Sequence, residues 1–92
     1  MSIQKNSVIA RNEDIFTGQI DDDLVMVSIN TGSYFVLNLT AQRIWELLKS
    51  PLSVAEICAK LMQEYEIDPL TCQAEVIGFV ERLRDKQVVK VV

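Results

Sequence analysis

The residues best equipped for chemistry are few, and their spacing argues against catalysis. Asp21-Asp22-Asp23 is the densest set of potential cation ligands. Calcium loops, however, space their carboxylates and add a turn glycine and a distant glutamate, so the triplet reads as the solvated tip of a hairpin. Two thiols, Cys58 and Cys72, fall in helix-like segments, and the chain has no histidine. Two thiols alone cannot complete an ordinary four-ligand zinc site. Neither has an activating partner in sequence, so both read as small core residues in a reducing cytoplasm. Glu64 and Glu66 read as the solvated end of a helix. The glycines at 18, 32 and 78 are too scattered for a phosphate loop. No catalytic constellation emerges: the expectation is a protein that is not an enzyme and carries no cofactor or metal.

The elements that carry these residues change character halfway along the chain. Its 92 residues, 49% hydrophobic and 24% charged, make one small domain with a limited core. Residues 1–13 are expected to be a polar N-terminal tail that can hold a short strand at Val8–Arg11. Then come a strand at Ile15–Ile20, the acidic turn, and a strand at Leu24–Ile29. On the latter, Val25, Val27 and Ile29 form the consistently β-branched face and are expected to point to the core. Asn30-Thr31-Gly32 makes the next turn, with Gly32 supplying a positive φ. The third strand is Tyr34–Leu37.

The apolar period then shifts from 2 to 3.6. Thr40 or Asn38 caps a helix over about Ala41–Lys49, and Ser50-Pro51 stops it. Ser53-Val54-Ala55-Glu56 is a capping box that opens a helix to about Tyr65. Asp68-Pro69 opens a third helix to about Lys86. The tail Val88–Val92 has strand propensity and is expected to pair locally. The fold class is α+β: a three-stranded antiparallel sheet followed by three helices, winged helix-turn-helix-like.

A binding surface remains once catalysis is set aside. On the third helix, Val76, Cys72, Val80, Leu83 and Phe79 share one face. A second strip of Leu70, Gln73, Ala74, Ile77, Glu81 and Arg84 lies about a quarter-turn round. The third strand is the edge of its meander, and Tyr34-Phe35-Val36-Leu37 has none of the lysines, prolines or bulges that usually protect an edge. An apolar edge beside a mixed helix strip is what β-strand addition of a peptide requires.

From about Asp14 to Val89 the chain resembles the PqqD-like proteins, the peptide chaperones also called RiPP recognition elements, and is similar to the small stand-alone members of lasso-peptide pathways. The matching words are DDDLVMVSINTGSYFVLNLTAQRIWELL (residues 21–48), SVAEICAKLMQEYEIDP (53–69) and AEVIGFVERLRDKQVV (74–89). Thr31-Gly32, Leu37-Asn38 and Ile44-Trp45 carry most of the specificity through their mutual spacing. One departure is Glu75-Val76, where many relatives have Asp-Val, so the same charge reaches further. The resemblance implies that residues 14–92 form a peptide-binding domain. It implies a winged helix-turn-helix-like fold that binds the leader region of a ribosomally made precursor as an extra strand beside the third strand, over the third helix. It then implies delivery to a maturation enzyme, either a radical SAM enzyme or a leader peptidase. Carried over by position, the groove comprises Tyr34, Phe35, Val36 and Leu37 with Leu70, Gln73, Ala74, Ile77, Glu81 and Arg84.

Two other readings use the same features. A winged-helix DNA-binding regulator fits the fold class. The net charge of −4 opposes it, with three basic and six acidic residues in 1–46 and six and seven in 47–92. A structural homodimerisation module would pair the Tyr34–Leu37 edge with its own copy. The expected partners are thus a leader peptide and its enzyme, with no nucleic acid and no membrane. No window reaches the ~20 apolar residues of a span, and a cytoplasmic monomer or weak homodimer is expected.

Overall fold

The computed structural model describes residues 3–92. Six strands and three helices follow the chain as β1 (Val8–Arg11), β2 (Ile15–Ile20), β3 (Asp23–Ser28), β4 (Tyr34–Leu37), α1 (Leu39–Leu47), β5 (Leu52–Ser53), α2 (Val54–Glu64), α3 (Pro69–Asp85) and β6 (Val89–Val91). They form two antiparallel sheets, ordered β2-β3-β4 and β5-β1-β6. The architecture is the expected α+β meander followed by three helices, with a second small sheet added.

That second sheet ties both ends of the chain to the helices. The segment ahead of Asp14 is built into the fold: Ile3 is buried, and β1 contributes the fully buried Ile9. β1 pairs with β6 from Ile9↔Val91 to Arg11↔Val89 and with β5 at Val8↔Ser53. The Val88–Val92 tail therefore pairs with the N-terminal strand, and Val88 and Val89 join the core. Arg11 ends β1 with its guanidinium 4.1 Å above the Trp45 ring. It also donates to the Trp45 carbonyl. Burial pulls the Arg11 pKa down, and the stacked indole keeps the guanidinium in place.

The helices start where the side chains dictate. Of the two possible caps for α1, Asn38 is the one used: its Oδ1 accepts the Ala41 N–H at 2.9 Å. Ser53 and Glu56 form the reciprocal capping box of α2. Asp68 caps α3 by accepting the N–H groups of Leu70 and Thr71, with Pro69 in the first turn. The core stripe of α3 is Cys72, Val76, Val80 and Leu83, with Phe79 partly buried against it. Arg43 on α1 bridges to Glu64 at the end of α2 at 2.7 Å and to Glu46 at 3.1 Å. Gly32 has φ +69° at the β3–β4 turn, the left-handed conformation that a glycine adopts without steric cost.

One strand faces the opposite way from the sequence expectation. In β3 the buried residues are Met26 and Ser28, with Leu24 and Val25 half-buried, whereas Val27, and Ile29 just after the strand, are exposed. The physical reason is register. Met26 pairs with Phe35 and Leu24 with Leu37, and Phe35 and Leu37 both pack into the core. A strand that is apolar on both faces has its orientation set by its neighbour, not by its own β-branched residues. Methionine also fills the irregular space between sheet and helices better than a stiff valine.

Candidate functional site

Among the described residues, β4 is an edge strand whose other side is unpaired. The hairpin that precedes it fixes which backbone groups are free. Ser28 donates its N–H to the Ser33 carbonyl at 2.9 Å, and the register continues through Val27↔Tyr34, Val25↔Val36 and Leu24↔Leu37. Hydrogen-bonded and non-hydrogen-bonded pairs alternate in an antiparallel ladder. Phe35 and Leu37 therefore direct their N–H and C=O groups to β3, whereas Tyr34 and Val36 direct theirs to the open edge. Two residues thus offer donor–acceptor pairs to an incoming strand.

The space beside this edge is a trough between β4, the start of α1 and α3. One part, about 220 Å3, is lined by Phe35, Val36, Leu37, Asn38, Ala41, Phe79, Arg82 and Leu83. A second part, about 460 Å3, continues between the helices and shares Asn38, Ala41, Phe79 and Arg82 with the first. It adds Ala74, Glu75 and Gly78 from α3 and Ile44 from α1. The Arg82 guanidinium lies 5.9 Å from the Phe79 ring. The trough therefore offers apolar walls with one cation and one carboxylate on the helix side.

The structure brings together Tyr34, Phe35, Val36 and Leu37 at the edge, and Ala74 in the adjoining cleft. The other helix residues expected from sequence lie elsewhere. Glu81 accepts the Ile3 N–H at 3.5 Å. Arg84 lines a separate cleft with Ser7, Asn12 and the β6 segment. Gln73 and Ile77 are half-buried on that same flank, and Leu70 is highly exposed at the helix start. The reason is geometric. At 100° per residue the buried stripe of α3 has two flanks: Glu75, Phe79 and Arg82 on one, Gln73, Ile77 and Arg84 on the other. The N-terminal segment and the small sheet occupy the second flank, so the first borders β4. Nothing within the helix distinguishes the flanks; the useful signal was the strand propensity of Val8–Arg11.

No group of three or more His, Cys, Asp or Glu suited to a metal ion occurs among the described residues. Cys58 and Cys72 are buried free thiols. Burial, then the neighbouring Cys72, pushes the Cys58 thiol up to about 12, leaving it protonated and unreactive at neutral pH. Among the described residues, no helix is long and apolar enough to cross a membrane.

The sequence profile of the family described as coenzyme PQQ synthesis protein D (PqqD) matches residues 23–89. The chain belongs to this family. Among solved structures it is similar to TbiB1 in complex with the TbiA(beta) leader peptide, with 28% identity and a TM-score of 0.79 over 88% of this chain and 94% of that one. It also shares its fold with a lasso peptide synthetase B1 complexed with the leader peptide, at 24% identity and a TM-score of 0.73 over 89% and 96% of the two chains. A search of curated proteins gave no match.

Proposed function

We propose that this protein is a non-catalytic carrier that recognises the leader region of a ribosomally synthesised precursor peptide in RiPP biosynthesis. The leader adds as a strand to the open edge of β4, over α3, and is delivered to a separate maturation enzyme, a radical SAM enzyme or a leader peptidase. The observation that carries this reading is the edge itself, where Tyr34 and Val36 offer outward backbone groups beside an apolar trough. The likeness to TbiB1, whose structure holds a leader peptide, supports it.

Affinity would come from main-chain hydrogen bonds and specificity from alternate side chains of the leader. Those turned inward would meet Phe35, Leu37, Phe79 and Arg82. Those turned outward would lie beside Tyr34 and Val36. On the helix, Glu75, Gly78, Phe79 and Arg82 join Ala74 as contact residues. Leu70, Gln73, Ile77, Glu81 and Arg84 would contribute only if the peptide ran beyond the trough.

An NMR titration with the synthetic leader of the precursor tests this. The expected shifts fall on Tyr34–Leu37, Phe79 and Arg82. The Val36→Pro variant removes an outward N–H without removing a bond to β3, so it should stay folded and bind the leader about tenfold or more weakly. Undiminished affinity in that variant would refute strand addition at this edge.

A further inference from the structure

The β2-β3-β4 sheet has an outer face that its own fold leaves uncovered. Phe16, Val27 and Tyr34 align across the three strands in one row, and Gly18, Val25 and Val36 in the next. Phe16 and Ile20 are each 62% exposed and Tyr34 is 71% exposed. β2 is inverted relative to an ordinary half-buried strand. Beyond Ile15, which packs against the core, its helix-facing side carries Thr17 and Gln19, paired with Met26 and Leu24, while its solvent side carries Phe16 and Ile20. Isolated exposed apolar residues need no explanation, but a contiguous patch across three strands marks an interaction surface.

Three features say what covers it. The first is charge: residues 12–42 contain no Lys or Arg, whereas Glu13, Asp14 and Asp21-Asp22-Asp23 border the sheet. The opposite turn, Asn30-Thr31-Gly32-Ser33, is uncharged. A second copy would therefore meet these carboxylates with nothing positive on its own sheet in either orientation, whereas a partner with a Lys/Arg rim would pair them. The second is Gly18. A Cβ there would meet nothing within 4 Å, and positive φ among the glycines occurs at Gly32. The free fold has no use for a bare position, but one residue of bare backbone lets another chain approach closely. The third is continuity: Tyr34 and Val36 belong both to this face and to the peptide edge.

We infer that the outer face of the β2-β3-β4 sheet, centred on Phe16, Ile20 and Val27, docks a second protein with an apolar centre and a basic rim, the maturation enzyme itself. The inference rests on the leader-carrier reading. An added leader strand would widen the same face, so the enzyme would touch carrier and peptide together.

The test uses Phe16→Asp and Ile20→Asp, with Thr17→Asp on the opposite side of β2 as control. All three positions are exposed, and circular dichroism checks the fold. Two affinities are measured separately: the purified maturation enzyme against the protein without peptide, by sedimentation, and a labelled leader peptide against the protein, by fluorescence anisotropy. The expected result is a loss of about tenfold or more in enzyme affinity for the two face variants, with leader affinity within about twofold of wild type and Thr17→Asp unaffected. Unchanged enzyme affinity in the face variants overturns the inference. So does a wild-type homodimer that Phe16→Asp dissociates, which would assign the face to a second copy. A wild-type protein that binds the enzyme but no leader refutes the leader-carrier reading while leaving the docking face standing.

Discussion

The two sheets of this protein are built from similar residues and do opposite things. β1 lies between β5 and β6, Ile9 is fully buried, and Val88 and Val89 close over it. Every part of the small sheet is held by chain from another part of the sequence. The larger sheet keeps two open edges and a bare outer face, and only its inner side, through Met26 and Leu37, reaches the core. A small domain thus gains rigidity from the sheet that joins its ends, which frees the other sheet to stay incomplete. Open edges and apolar faces are liabilities in a free protein; here they are concentrated on the surfaces proposed to bind partners.

The strongest way to break this comparison is matched truncation. Ile9→Ala removes a fully buried side chain and should destabilise by about 2–5 kcal/mol. Val27→Ala, on the exposed outer face, should cost less than about 1 kcal/mol. Urea unfolding of both variants measures the difference, and equal costs would show that the outer face is part of the stabilising core. At the junction between β4 and α1, Asn38→Ala deletes the cap that accepts the Ala41 N–H and should cost about 1 kcal/mol. Since Asn38 also lines the trough, that variant should weaken leader binding in the same NMR titration.

A smaller effect should come from pH. The Ser53 backbone N–H, then its hydroxyl, holds the Glu56 carboxylate below its ordinary range, and Ser53 also belongs to β5. A carboxylate depressed in the folded state stabilises fully above its unfolded pKa, and that contribution is lost as pH falls through the folded value. Wild type should therefore lose more thermal stability between neutral pH and pH about 3 than Glu56→Gln does, as read by melting curves at both pH values. The smallest change expected is a gain: Gly18→Thr puts a β-former where a Cβ has open space and should stabilise by about 0.5–1 kcal/mol in the same unfolding assay.

The strands β2 and β4 and the starts of α2 and α3 were legible because each is fixed locally, by turn residues and caps such as Gly32, Ser53 and Asp68-Pro69, whereas α1 begins at Leu39, ahead of the expected Ala41, because Asn38 rather than Thr40 caps it. What failed to read out depended on distant chain. The orientation of β3 followed from Phe35 and Leu37 across the sheet. The flank of α3 that borders β4 followed from an N-terminal strand some 70 residues away in sequence. The β-branched run Val25, Val27 and Ile29 looked like core because exposed and buried sheet faces can carry the same apolar side chains. The open apolar edge of β4 could be read from sequence, since an unprotected apolar strand is a local property; which flank of α3 borders it could not.

The stacked Arg11–Trp45 pair has a practical consequence. Trp45 is the sole tryptophan in the chain, it is buried, and it lies against the small sheet through Arg11. It does not line either part of the trough. Its emission should therefore report on the packing of α1 against the small sheet that joins β1 and β6. Folding and loading can be followed in one cuvette, the first by tryptophan and the second by a dye on the peptide.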